Sequence, residues 1–204
     1  MDFELSDDQV ALRDAAAEML DDLASPARVR AHLGSGSHYD ATLWDALVAQ
    51  GWLAVEQDES SGGLGLGFVE AMVLSEQVGR HVAPVPFHQV LLALAATRGT
   101  PWASRLLSGE VACVAWRPDA DRPVLAPYAP AASFAVVASP SGVVVHELSG
   151  GVAAEPAMDL TRCVGWLAPS LPVAPGGEVG GPAEAVALLD RGGGGQYHHP
   201  AAAG

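Results

Sequence analysis

Apolar residues recur at helical spacing through the first hundred or so positions of this chain and at strand spacing after them. Ser6-Asp7-Asp8-Gln9 has the form of a capping box, in which hydroxyl and amide satisfy each other's orphan donors. Behind it Leu12, Ala16, Met19 and Leu23 mark one face of a helix, and Arg13, Asp14, Glu18 and Asp21 mark the other. Pro26 stops this pattern or begins a short next turn. A second helix is expected from Asp40 as N-cap, burying Leu43, Trp44, Leu47 and Val48 and ending at Gly51. A glycine-rich turn then feeds a third through Phe68, Val69, Met72 and Val73, which should stop before Pro84 because the ring removes a donor. Pro86 can open a fourth, through Val90, Leu91 and Leu94 to near Gly99, and Pro101 suits the first position of a short fifth.

After Gly109 the period changes. Val111 to Trp116, Ser133 to Val137 and Val143 to His146 are short, rich in β-branched residues and bounded by Pro, Gly and Ser. Ser139-Pro140-Ser141-Gly142 is a good hairpin connection between the last two. The pattern predicts an α+β chain, with an all-helical N-terminal domain followed by a small antiparallel β-domain. The expected division is 1–110 helical, 111–175 strand-rich, and 176–204 a linker, a helix start and a glycine-rich disordered tail. Pro175-Gly176-Gly177 reads as the linker. A helix beginning near Ala183 that meets four consecutive glycines from Gly192 has little intrinsic reason to be stable.

Composition narrows the function classes. Half the residues are apolar and the formal net charge is −14, which argues against a nucleic-acid partner and against an anionic membrane surface. No apolar run is long enough to span a bilayer, and the acidic start lacks the pattern of a signal peptide, so a cytoplasmic protein is expected. Cys113 and Cys163 have no metal-type spacing and read as buried free thiols.

The residues alone offer no catalytic constellation. Glycines 62, 63, 65 and 67 lack dinucleotide-fingerprint spacing, and no strand clearly precedes them, so a turn between helices is the better reading. Histidines 32, 38, 81 and 88 are scattered without ligand spacing, and His198-His199 lies in the tail, so no metal site is expected. There is no GxSxG elbow. Asp119-Ala120-Asp121 reads as a solvated loop.

The order of several segments carries more. FELSDDQVALRDAAAEML from Phe3, LWDALVAQGWLAV from Leu43 and GGLGLGFVEAMVLSEQVGR from Gly62 resemble successive N-terminal helices of acyl-CoA dehydrogenases. ASRLLSGEVACVAW from Ala103 resembles that family's passage from its last N-terminal helix into the first strand of its middle domain. MDLTRCVGWL from Met158 is similar to an Asp-x-Thr-Arg stretch late in the middle domain. The resemblance implies a helical domain, a β-domain and a C-terminal four-helix domain, with FAD between the last two and often completed by a neighbouring subunit. It also implies flavin-dependent α,β-dehydrogenation of acyl-CoA thioesters, with a C-terminal glutamate as base and acyl-CoA as ligand.

The sequence departs from that pattern in two places. Where the family carries a Thr-Glu-Pro-x-x-Gly-Ser-Asp loop at flavin and substrate, this chain has Trp116-Arg117-Pro118-Asp119-Ala120-Asp121, so no cofactor-binding residue can be assigned. The family's C-terminal domain is not recognisable beyond AEAVALLDR, so no catalytic residue can be assigned either. A shift of reading frame before the glycine tail would account for this. Some actinobacterial members that degrade steroid side chains pair two unlike subunits, one without flavin motifs, and this chain resembles such a degenerate partner. The expectation is a truncated acyl-CoA dehydrogenase-like subunit, inactive alone, in a homo- or hetero-oligomer with another such subunit. The alternatives are a non-catalytic partner or scaffold, or a non-functional product.

Overall fold

The computed structural model describes residues 4–192. The chain begins with α1 (Asp7–Leu23), whose N-cap Ser6 exchanges both bonds of the expected capping box with Gln9. Next come α2 (Pro26–Leu33), opened by its proline, and α3 (Ala41–Ala49), capped by the Asp40 carboxylate. Gly51 turns the chain out of α3 in the left-handed conformation that glycine tolerates (φ 76°). α4 spans Phe68–Arg80, α5 Phe87–Ala96 and α6 Pro101–Leu107.

The glycine-rich segment before α4 is a turn. The backbone N–H groups of residues 62–66 donate to the carbonyls of Glu59, Asp58, Ala54, Gln57 and Val55, and that of Gly67 donates to the Glu70 carboxylate. None is left to cradle a phosphate. Gly63 is also sterically fixed, since a Cβ there would sit 2.1 Å from the Gln57 carbonyl oxygen.

Strands begin at β1 (Ala112–Trp116), followed by β2 (Val124–Pro127), β3 (Phe134–Ser139), β4 (Gly142–Glu147), β5 (Val164–Leu167) and β6 (Glu178–Gly180). One sheet has the order β1-β3-β4-β6, and β2 and β5 form a separate antiparallel ribbon. The expected hairpin joins β3 to β4. The sheet is mixed where an antiparallel one was expected, because β1 and β3 run parallel with Ala112 beside Phe134. The physical reason is the connection. After β1 the chain makes β2 and a short 3₁₀ turn (Ala129–Ala131), then returns to the start of β1, where Ser133 N–H bonds the Val111 carbonyl at 2.9 Å.

Helices and strands share one hydrophobic core. α5 lies at its centre with Phe87, Val90, Leu91, Leu92, Ala93 and Leu94 all buried, packed against β1, α6, α7 and α4. The Gln89 carboxamide oxygen accepts the Val114 N–H at 2.8 Å on β1. On α6, Trp102 meets Phe134 of β3 with ring centres 5.2 Å apart, and the Arg105 guanidinium lies 5.0 Å from each ring. Arg105 also pairs with Glu110 at 2.7 Å and Glu147 at 3.2 Å. The Trp44 indole N–H reaches the Gly109 carbonyl at 2.8 Å, fixing the passage from helices to strands.

The final helix corrects an expectation. α7 (Pro182–Arg191) is fully formed, with proline in its first turn and the Glu184 carboxylate accepting the Gly181 N–H at 2.9 Å. Packing supplies what its sequence lacks. Ala185 and Leu188 are buried, α7 sits on β3, β4 and α5, and Arg191 pairs with Glu56 while lying 4.6 Å over the Phe68 ring. The expected linker is also held, since Ala174 N–H bonds the Val145 carbonyl and Val145 N–H bonds that of Gly177. The glycine tail from Gly193 onward lies outside the described residues.

Two glycines should behave oppositely. Gly63→Ala is expected to lower stability by about 2–4 kcal/mol, since the backbone must move to admit the methyl group. Gly79→Ala, in α4 with nothing within 4 Å of the added Cβ, should be neutral or gain up to about 1 kcal/mol. Urea midpoints of the two variants read both effects.

Candidate functional site

α4 leaves its last turn at Arg80 and the chain must reverse into α5 within six residues that include Pro84 and Pro86. No glycine helps it. Val82 adopts φ 51°, with its N–H on the Gly79 carbonyl at 3.0 Å, and Ala83 N–H bonds Val78. Positive φ in a β-branched residue is costly. Across the cleft, Tyr128 takes φ 59° between β2 and the 3₁₀ turn, its N–H held by the Cys163 carbonyl at 2.8 Å. These two are the non-glycine residues with positive φ among the described residues, and both line the same cavity of about 370 Å³. Strain of this kind concentrates at sites of function.

The cavity lies where the helices meet the β2–β5 ribbon. Val78, Val82, Ala83, Val85 and Pro127 supply apolar wall, and His88, Gln89, Tyr128, Asp159, Thr161 and Arg162 supply polar groups. Asp159 holds the last of these in place. Its carboxylate accepts the Thr161 N–H and hydroxyl on one oxygen and meets the Arg162 guanidinium at 3.1 Å on the other. The Thr161 hydroxyl foremost, and then its N–H and Arg162, hold the Asp159 carboxyl below the usual carboxylate range. It is therefore a weak base, suited to positioning Arg162 more than to removing a proton.

Two other groups are shifted. Loss of water around His88, then the charges of Arg162 and Arg191, push its imidazole below the ordinary value, which favours the neutral ring. Burial raises the Tyr128 phenol, with Arg162 opposing, so it stays protonated. Beside the cavity, burial lifts Cys163 to about 11 and Cys113 to about 12. Both are free thiols, as expected, and too little ionised to act as nucleophiles at neutral pH.

Of the positions singled out in the sequence, the Asp-x-Thr-Arg stretch and His88 come together here. His32, half-buried, and His38, exposed, lie elsewhere, and His81 bonds the Gln77 carbonyl and Asp21. Among the described residues no group of three His, Cys, Asp or Glu could hold a metal ion. Gln89 and Tyr128 carried no signal in the sequence, because a glutamine in an apolar helix and a tyrosine between prolines look like ordinary packing.

The segment at the family's flavin loop lies at the end of β1 and does not fit that cofactor. Arg117 is buried and turned into the protein, donating to the carbonyls of Ala168 at 2.8 Å and Pro169 at 3.1 Å, with its Nε unpaired. Asp119 and Asp121 are exposed, and the Asp119 carboxylate is closed onto the Asp121 N–H at 3.0 Å. The exposed side chains of this segment are carboxylates, which repel a diphosphate, and its buried cation is committed to peptide carbonyls.

Residues 6–102 match the family model described as acyl-CoA dehydrogenase, N-terminal domain. Residues 6–102 are thus an acyl-CoA dehydrogenase N-terminal domain. The chain is 30% identical over 120 residues to acyl-CoA dehydrogenase IpdE2 of Mycolicibacterium smegmatis, a match covering 56% of this chain and 39% of that protein. The fold is similar to a chain of the ChsE4–ChsE5 complex from Mycobacterium tuberculosis, with TM-score 0.78, 22% identity, and coverage of 94% of this chain and 62% of that one. It is also similar to the steroid ACAD Tcur3481–Tcur3483 G363A variant, with TM-score 0.73, 27% identity, and coverage of 91% and 60%. The chain thus spans well under half of the curated relative and about three fifths of the solved chains. Among the described residues, no helix of this chain is long and apolar enough to cross a membrane.

The imidazoles give a pH test. His88 and His146 both fall below 6.5, first through desolvation, and His146 is buried against the Pro172 carbonyl at 3.0 Å. The unfolded chain takes up protons below that value which the folded chain resists, so stability is complete above it and declines as pH falls through the depressed values. Asp159, Glu70 and Glu110 are lowered carboxylates, whose contribution is present above the ordinary carboxylate range and lost below it. Urea midpoints measured from about pH 8 to pH 3 should fall in two stages, and replacing both histidines with glutamine should remove the upper one.

Proposed function

We propose that this chain is a subunit of an acyl-CoA dehydrogenase-type heteromer. It receives acyl-CoA at the cleft between α4, α5 and the β2–β5 ribbon, and it depends on a second subunit for the flavin. The observation that carries this reading is the pairing of a formed cleft with a loop that does not fit the cofactor. The cleft has apolar wall, convergent polar groups and two strained backbone positions. The loop at the end of β1 turns its buried cation away and presents carboxylates.

The chemistry expected of the family is α,β-dehydrogenation of an acyl thioester, which needs a carboxylate base near the α-carbon and a hydride acceptor near the β-carbon. Asp159 is too well stabilised as an anion to be that base. What this chain's residues can do is bind and orient. The valines and Pro127 exclude water from an acyl group, and His88, Gln89, Tyr128 and Arg162 direct hydrogen bonds at it. Two similar structures, the ChsE4–ChsE5 complex and the Tcur3481–Tcur3483 steroid ACAD, each pair two proteins, which supports a paired assembly here. The Arg117 arrangement equally suits a scaffold subunit that binds no acyl-CoA, and calorimetry separates the two.

Purified alone, the chain should carry no flavin absorbance and should not reduce an electron acceptor with added FAD and acyl-CoA. Isothermal titration with hexanoyl-CoA should still give a binding heat. Turnover by the chain alone would sink the dependence on a second subunit, and absence of any heat would leave the scaffold reading in its place.

A further inference from the structure

α4 carries the one glycine found inside an α-helix among the described residues, Gly79. Glycine is a poor helix former, because it gives up more backbone freedom on folding than any other residue. Elsewhere the chain's glycines have visible causes: Gly63 is fixed by crowding and Gly51 by its positive φ. Gly79 has neither. Its φ is not positive, and an added Cβ would meet nothing within 4 Å. Its carbonyl takes the Val82 N–H at 3.0 Å, a bond that any residue could accept. The backbone does not call for glycine here, and what the residue supplies is the open space left by its missing side chain.

That space borders the junction cavity. Ser75, Val78 and Gly79 lie three or four residues apart on one face of α4, Val82 follows in the turn, and all four line the cavity. Ser75 turns its hydroxyl back onto the Ala71 carbonyl at 2.8 Å, so it offers the cavity mainly carbon. Gly79 is exposed, which puts it at the mouth and not in the depth. The wall across from it has little room to retreat. Pro127 is paired in the β2–β5 ribbon, and Tyr128, only 5% exposed, has its N–H on the Cys163 carbonyl at 2.8 Å. A side chain added at position 79 therefore narrows the entrance.

We infer that Gly79 determines how bulky an acyl group this cavity admits beside the thioester. This rests on the reading of the cavity as an acyl-CoA site. An acyl group enters with its far end first and leaves its thioester at the mouth, because the coenzyme is too large to follow. A ring or branch at the α-carbon then falls in the space over Gly79, which a straight chain does not need. Room is not the obstacle: the cavity holds about 370 Å³, and a dry cavity of about 150 Å³ already takes a six-carbon ring.

Cyclohexanecarbonyl-CoA and heptanoyl-CoA have the same number of acyl carbons and differ in bulk at the α-carbon. Titration calorimetry on the full chain should give a binding heat for both. Gly79→Leu should weaken the ring compound at least about tenfold relative to the straight one. Gly79→Ala should fall between the two, with a urea midpoint no lower than that of the unaltered chain. Arg80→Leu puts the same side chain next door but outside this cavity, and should leave the ratio of affinities unchanged. A ratio untouched by Gly79→Leu, or moved as far by Arg80→Leu, would overturn the inference while leaving the acyl-CoA site intact. So would refusal of the ring compound by an unaltered chain that binds heptanoyl-CoA. Binding of neither thioester would remove the acyl-CoA site and the inference together.

Discussion

Everything in this molecule is arranged around the burial of α5. A helix with six of its ten residues buried, including four successive leucine or alanine positions from Leu91, cannot present one face to solvent. It must be enclosed, and its enclosure joins the helices to the sheet. α4 and α6 cover it on one side, β1 lies along another and α7 closes over it later in the chain. The two polar residues of its first turn, His88 and Gln89, are where this helix meets other chemistry. Gln89 binds β1 through its oxygen, and both residues border the junction cavity. The same burial that makes the core therefore places the site at the seam between helices and ribbon.

Much of the helical half was legible in the sequence because its signals are local. Ser6 with Gln9, Asp40, Pro101 and the hairpin at Ser139–Gly142 act over three or four residues and appear in the structure as expected. What the sequence hid was non-local. β2, β5 and β6 are three or four residues each and are defined by partners far along the chain, so no periodicity announces them. The parallel pairing of β1 with β3 depends on the route taken by the intervening residues. The stability of α7 depends on the surfaces it lands on, which its own glycine-flanked sequence cannot disclose.

The site was legible only in part, for a related reason. The Asp159–Arg162 stretch stood out through a family resemblance, and the structure shows a local cause, a carboxylate folding its own neighbours around itself. Tyr128 and Val82 could not be singled out, because left-handed backbone at a tyrosine or a valine is imposed by surroundings and has no signature in residue type. The replacement of the flavin loop was visible as a mismatch of letters. That Arg117 would turn inward and fasten the 168–169 carbonyls was not.

The sheet's two ends bear on how the chain can assemble. Strand order places β1 at one border, where the Gln89 side chain takes up the Val114 N–H, and β6 at the other, where a three-residue strand pairs across a register shift. An exposed run of free backbone groups would invite a strand from another copy, and neither border offers a long one. Association by extending the sheet is thereby discouraged, and any partner would have to recognise side chains. The exposed Leu125 and Trp166, paired across the β2–β5 ribbon, are side chains of the kind that could confer a selectivity that backbone pairing lacks.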